Sequence, residues 1–172
     1  MRKVILGLAI SLDSFIEGPN GEYDWCFTDQ DYGMSEFFGR IDAIFIGRKS
    51  YELVQGMGEN AGFPKMKNYV FSNSLAQVAA GDELVSGAIK AKVLAIKNGP
   101  GNDIWLFGGA SLTASLMNER LVEELWLSVH PILLGSGKPL FTGISDRIKL
   151  TLFETKAYET GLVSLKYKVD NQ

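Results

Sequence analysis

Apolar residues fall along this chain in short separated runs, and the spacing within each run separates strand from helix. Residues 4–10 are apolar apart from Gly7, a run too short for a helix and suited to a strand buried on both faces. Comparable brief runs stand at 42–46, 68–71, 83–85 and 104–107, with a longer one at 122–130. Helical spacing appears between them. Met34, Phe37 and Phe38 form the apolar side of a short helix that Thr28 or Asp29 can cap and that ends near Gly39. Tyr51, Leu53 and Val54 mark a second helix after Gly47, and Ile89, Val93 and Ile96 a third that stops at residues 98–102. A fourth follows Gly108-Gly109 and spans residues 111–118. The chain closes on two alternating segments, Ile148-x-Leu150-x-Leu152 and Val163-x-Leu165-x-Tyr167-x-Val169, around Glu159-Thr160-Gly161. That pattern predicts a terminal antiparallel hairpin. Strands alternating with helices and then strands alone predict an α/β fold, with a mixed, mostly parallel sheet and an antiparallel edge. Residues 11–21 and 56–67 read as loops, and a loop as long as the first beside a buried strand is functional or mobile.

Composition narrows the function. The chain has 172 residues, 46% hydrophobic and 22% charged, which is globular rather than disordered. No repeat or composition break divides it, so residues 1–172 are expected to form one domain. Its 17 basic and 20 acidic residues give a net charge of −3, against a large nucleic-acid-binding face. One cysteine (Cys26) and one histidine (His130) exclude an internal disulfide and leave too few ligands for a Cys/His zinc site. The basic start, Met1-Arg2-Lys3, leads into an apolar stretch too short for a signal peptide or a membrane span, so a cytoplasmic setting is expected.

Two predicted strand-to-helix turns have the composition of a phosphate site. Gly47-Arg48-Lys49-Ser50 combines a glycine, a helix start and two cations. Gly108-Gly109-Ala110-Ser111 places a glycine pair directly after an apolar strand. Taken singly, each reads equally well as a tight turn. With Ser72 and Asn73 at a third strand end, they favour a dinucleotide, whose phosphates fill both turns. Arg48, Lys49 and Ser72 together suit an extra 2′-phosphate, and so NADP over NAD. The glycine match at residues 56–61 follows a helix rather than a strand and is read as chance.

These residues carry a resemblance. Gly47-Arg48-Lys49-Ser50-Tyr51-Glu52, Val70-Phe71-Ser72 and Trp105-Leu106-Phe107-Gly108-Gly109 resemble the cofactor motifs of the dihydrofolate reductase fold. Ser11-Leu12-Asp13 with Gly18-Pro19-Asn20-Gly21, and residues 122–125 leading to 130–137, are similar to the reductase domain of bacterial riboflavin biosynthesis, nearest to its stand-alone members. The match covers nearly the whole chain. It implies a three-layer dihydrofolate-reductase-like fold, an NADPH-dependent oxidoreductase and a homodimer. Carried over, Gly47, Arg48, Lys49 and Ser50 meet phosphates and ribose, while Ser72 and Asn73 lie at the adenosine end. Gly108, Gly109, Ala110, Ser111, Leu112 and Thr113 carry the pyrophosphate, and Ala9 and Ile16 flank the nicotinamide. Ser14 and Glu17 depart from the family pattern in the loop above that ring.

The activity implied is hydride transfer to a C=N or C=O of a small polar heterocycle, as for 5-amino-6-(5-phosphoribosylamino)uracil. The H-x-E and C-x-x-C elements of the pathway's zinc deaminase are absent from the sequence. True dihydrofolate reductase and a dinucleotide-binding sensor without turnover are the alternatives. Asp31 and Asp24 are candidates for supplying the proton. Asp13, Asp24 and Glu36 also read as turn or surface carboxylates, His130 as a structural hydrogen-bonding residue, and Cys26 as packing. Leu133, Leu134, Leu140 and Phe141, in a segment with no helix assigned to cover it, are the expected dimer surface.

Overall fold

The computed structural model describes residues 1–58, 62 and 64–170. An eight-stranded sheet runs through it in the order β5-β4-β3-β6-β1-β7-β10-β9. Six strands are mutually parallel: β1 (Val4–Ser11), β3 (Ile41–Gly47), β4 (Lys67–Phe71), β5 (Glu83–Val85), β6 (Asp103–Gly108) and β7 (Glu124–His130). The terminal hairpin of β9 (Leu150–Ala157) and β10 (Val163–Val169) joins antiparallel to β7. The predicted mixed sheet with its antiparallel edge is therefore the observed one.

Helices α1 (Met34–Arg40) and α2 (Arg48–Met57) cover one face, and α3 (Ile89–Asn98) and α4 (Ala110–Asn118) the other. Alternation along each strand decides this split. Val4, Leu6 and Ile10 of β1 join Phe45, Leu106, Val93, Leu112 and Leu116 in the larger core, while Ile5 joins Phe37, Ile46, Tyr51 and Trp105 in the smaller. Each such fully buried side chain contributes about 1.5–3 kcal/mol of apolar transfer energy. Gly7 sits in the smaller core because Phe37 lies on it. A Cβ there would come within 2.7 Å of the ring, and the Gly7 carbonyl accepts a 2.7 Å hydrogen bond from the Trp105 indole.

Three expectations need correction. Helix α1 starts at Met34, several residues after Thr28 and Asp29, because Tyr32 (φ 48°) and Gly33 (φ 85°) adopt left-handed conformations. The supposed loop 11–21 contains a strand, β2 (Phe15–Glu17), which pairs with β8 (Lys138–Pro139) in a separate two-stranded sheet. Gly56 and Met57 belong to α2 rather than a loop, and residues 59–61 of the chance glycine match lie outside the described residues.

Candidate cofactor site

Strand register brings the two glycine turns together. Gly47 pairs with Phe71 and Ile46 with Gly108, so Arg48, Ser72 and Gly109 each begin where their strand stops, at one end of the sheet. Ala9 lies near the carboxyl end of β1, paired with Ser128 of β7. This is the crevice at the carboxyl ends of parallel strands where α/β sheets take ligands.

Gly47 and Gly109 are the N-caps of α2 and α4, and neither helix start has a side-chain cap. The amides of both first turns therefore face the crevice without a partner from the cap residue. Gly108 and Gly109 are joined by a cis peptide bond. A Cβ on Gly109 would lie 3.5 Å from the Ser50 hydroxyl and 3.7 Å from the Lys138 ammonium. Thr113 is fully buried with its hydroxyl unpartnered, 3.7 Å from the Cβ position of Gly108. A buried hydroxyl without a hydrogen bond is costly, and an anion or bridging water at this turn would satisfy it. Ala110 and Leu112 are buried, which confines their part at the turn to backbone N–H groups, while Ser111 is exposed.

The other candidate residues are more occupied locally. The Arg48 guanidinium donates to both carboxylate oxygens of Glu52, at 3.0 and 3.1 Å, and Lys49 is exposed. Ser72 Oγ accepts from the amides of Leu75 and Ser74 at 3.0 and 3.1 Å, which shapes the turn after β4. Asn73 Oδ1 accepts from the Gly87 amide at 3.1 Å and ties that turn to the approach to α3. Beside it a groove of about 750 Å³ runs between Gly87, Ala88 and Ile89 on one side and Ser115 and Asn118 on the other.

Ile16 lies half-buried on β2, against the larger core. Its loop is stitched down. The Asp13 carboxylate accepts from the Ser11 hydroxyl (2.6 Å) and from the amides of Gly135 (2.8 Å) and Leu134 (3.1 Å). The hydrogen bond from Ser11 is the first cause holding its pKa below the ordinary value. Asp13 thus clamps residues 11–17 to residues 132–140. Asp31, a proton-donor candidate, is exposed and accepts from the Ser35 hydroxyl and amide and the Gly33 amide, at 2.6, 2.9 and 3.0 Å. Those hydrogen bonds, Ser35 first, lower its pKa. It is an ionised cap for α1 rather than an acid with a proton to give. Asp24 is exposed on the segment before it. His130 is buried, its Nδ1 3.0 Å from the Ser128 carbonyl, and its Nε2 accepts from the Phe27 amide at 3.1 Å. Both nitrogens have structural partners. Burial pushes the Cys26 thiol up to about 11, with the Asp24 charge adding to it, so no thiolate nucleophile forms at neutral pH.

Sequence reasoning missed Lys138, which reaches the Gly109 turn from β8. Its one signal is a cation following Gly135-Ser136-Gly137, a loop read as part of the family resemblance and as a surface for a second subunit.

A mixed sheet of this order, with helices on both faces and paired glycine turns, defines the dihydrofolate reductase fold. Dihydrofolate reductase from Enterococcus faecalis, complexed with NADP(H), superposes with a TM-score of 0.70 over 98% of this chain and 97% of that one, at 16% identity. A Shewanella sp. PV-4 protein provisionally assigned to riboflavin biosynthesis superposes more closely, with a TM-score of 0.83, 24% identity and coverage of 98% and 99%. The profile of the RibD C-terminal domain matches residues 2–164, and the chain belongs to that family. The uncharacterized protein YyaP of Bacillus subtilis is 41% identical, over 96% of this chain and 94% of its own. Family and fold place the chain among reductase-like proteins. No helix among the described residues is long and apolar enough to cross a membrane.

Proposed function

We propose that this protein is an NADPH-dependent reductase of the riboflavin-pathway type, acting on a C=N or C=O of a small polar heterocycle. The observation that carries the reading is the Gly108-Gly109 turn. There an uncapped helix start and an unpartnered buried hydroxyl (Thr113) meet the Ser50 hydroxyl and the Lys138 ammonium, which lie 3.5 and 3.7 Å from the Cβ position of Gly109. These groups fit a diphosphate: donors and positive charge converge where a backbone without Cβ permits close approach. Arg48 and Lys49 at the start of α2, and Ser72 at the end of β4, lie one and two strands away, where the ribose 2′-phosphate would be held. Ala9 is small and half-buried near the carboxyl end of β1, where a flat ring would lie.

When bound, the dihydronicotinamide supplies the hydride. The chain's own part is orientation and exclusion of water. The α2 and α4 turns fix the cofactor's phosphates, and β2, held by Asp13 and β8, roofs the crevice beside Ala9. Because Asp31 is held ionised as a cap, the proton reaches the substrate from Asp24, from water or from the substrate itself. That occupied carboxylate also disfavours the dihydrofolate reductase alternative, which needs an acid beside the pterin. Titration with NADPH and NADH, followed by cofactor oxidation with 5-amino-6-(5-phosphoribosylamino)uracil and with dihydrofolate, tests the reading. Oxidation by the first substrate supports it. Binding without any oxidation favours the sensor, and preference for dihydrofolate replaces the substrate class.

We further propose a homodimer, with its surface reassigned. Leu140 is buried within the chain, and although Leu133 (69%) and Phe141 (40%) are exposed, the larger unpartnered surface is β9. All eight of its residues are exposed, Leu150, Leu152 and Phe153 among them, on an edge of the main sheet. Long exposed edge strands are normally covered or blunted. Antiparallel pairing of two β9 strands about Thr155 would set Glu154 of each subunit against Lys156 of the other, a self-complementary match. Sedimentation equilibrium at micromolar concentration should give twice the chain mass, and Phe153→Glu should return it to one.

A further inference from the structure

Lys138 and Glu17 are cross-strand partners in the small β2–β8 sheet, with Nζ 3.3 Å from Oε1. The same ammonium stands 3.7 Å from the Cβ position of Gly109. One cation therefore stands between an internal carboxylate and the Gly109 turn. Both side chains are about one-third exposed or more, so the pair is held weakly and exchanges readily. Gly137 keeps the geometry tight: a side chain there would run into the Glu17 carbonyl. The two segments thus bring Glu17 and Lys138 to the crevice as one unit.

We propose that Lys138 is a phosphate-binding, specificity-determining residue of the cofactor site, and that Glu17 is a resident counter-anion which a diphosphate displaces from it. This rests on the nucleotide reading above and adds two residues to it. Without a ligand, Glu17 neutralises Lys138 and holds the ammonium near the Gly109 turn. When a diphosphate enters, it carries more charge than the carboxylate and also receives the α4 amides, so it takes the ammonium and leaves Glu17 to solvent. Glu17 thereby sets a threshold. An anion that reaches both Lys138 and the α4 amides displaces it, whereas a monoanion without the helix start does not.

The experiment is a titration of the full chain with NADPH and, separately, with inorganic pyrophosphate, by calorimetry at two salt concentrations, on wild type, Lys138→Gln, Lys138→Arg and Glu17→Gln. Thermal melts check that each variant is folded. Lys138→Gln should weaken both ligands roughly tenfold or more and flatten the salt dependence, with Lys138→Arg restoring most of the loss. Glu17→Gln should tighten both, by roughly threefold or more, through loss of the competing charge. If Lys138→Gln binds like wild type, Lys138 is not in the site. If Glu17→Gln weakens binding as Lys138→Gln does, the pair only shapes the loops and the exchange is wrong. Wild type that binds pyrophosphate through Lys138 but not NADPH overturns the dinucleotide reading and keeps the anion site. Binding of neither ligand overturns both.

Discussion

The two ends of the parallel strands treat charge in opposite ways. At the amino ends, ionic groups are consumed by one another. Arg2 pairs with Asp42, Lys97 with Glu123, and Glu124 accepts from both Lys3 (2.7 Å) and Arg40 (2.9 Å), which also reaches Asp103 (2.8 Å). Glu124 and Lys97 are nearly inaccessible there, and such charges persist only because each has a partner. At the carboxyl ends Arg48 pairs with Glu52, but among the described residues α2 and α4 start without side-chain caps, the buried Thr113 hydroxyl has no partner, and Lys138 is held only by Glu17 at 3.3 Å. The first arrangement stabilises the fold and leaves nothing to bind. The second forgoes local satisfaction and leaves donors for a ligand. Substitutions in the amino-end ion pairs should therefore move stability alone, and those at the Gly109 turn affinity alone.

The largest effect is expected at the paired end. Glu124→Gln leaves Arg40 and Lys3 short of a buried counter-charge and should cost about 3 kcal/mol of unfolding free energy, read by urea denaturation. NADPH affinity should stay within about twofold of wild type, and a parallel loss of affinity would break the contrast. Next comes Gly109→Ala. Gly109 has φ −78°, so alanine introduces no backbone strain, and its nearest neighbours leave room for the methyl in the free protein. Melting temperature should be unchanged, while the methyl fills the diphosphate space and lowers NADPH affinity by about a hundredfold, equivalent to about 2.7 kcal/mol. Normal binding would make the turn a packing feature only. Arg48→Ala is smaller. Because Arg48 must exchange Glu52 for a ligand, its loss should cost about 1.5 kcal/mol for NADPH and little for NADH, and equal losses for both would remove the 2′-phosphate assignment.

The smallest effect is in acid. Burial holds the His130 imidazole below its ordinary value, against the opposing contacts of Ser128 and Ile10. The folded state thus favours neutral His130, and the stability this gives is complete above the unfolded value near 6.5 and lost as pH falls through the lower folded one. For Glu124, burial alone would raise the pKa, but hydrogen bonds from Arg40, Lys3 and Trp126 outweigh it and bring it below 4.5. Its contribution is present above that value and disappears at lower pH. Thermal melts from pH 7.5 downward should show a shallow first decline below about 6.5, absent in His130→Asn, before the steeper loss of carboxylate pairs.

Much of this contrast could be read in the sequence, for a physical reason. Buried parallel strands are short apolar runs, and glycine pairs after them mark helix starts, so β1, β3, β4, β6 and the turns at Gly47 and Gly108 were all legible locally. What was not legible depends on contacts across the chain. Phe15–Glu17 and Lys138–Pro139 are too short to signal as strands, and each is one only because the other lies beside it. Lys138 belongs to the candidate site for the same reason. The start of α1 lies later than Thr28 or Asp29 because an Asp31 turn and a left-handed Tyr32-Gly33 pair interpose before it. The exposure of β9 follows from its edge position, which its alternating sequence does not state.

The place of β1 has a consequence for how the molecule comes to be made. It comes first in chain order among the strands of the main sheet, yet it lies between β6 and β7, and Ser11 pairs with His130. Neither neighbour exists until most of the chain has left the ribosome. The loop closures needed are long, and such topologies fold slowly. Until then β1 is an apolar segment with two open edges, and a fragment ending before β6 would lack both of its neighbours.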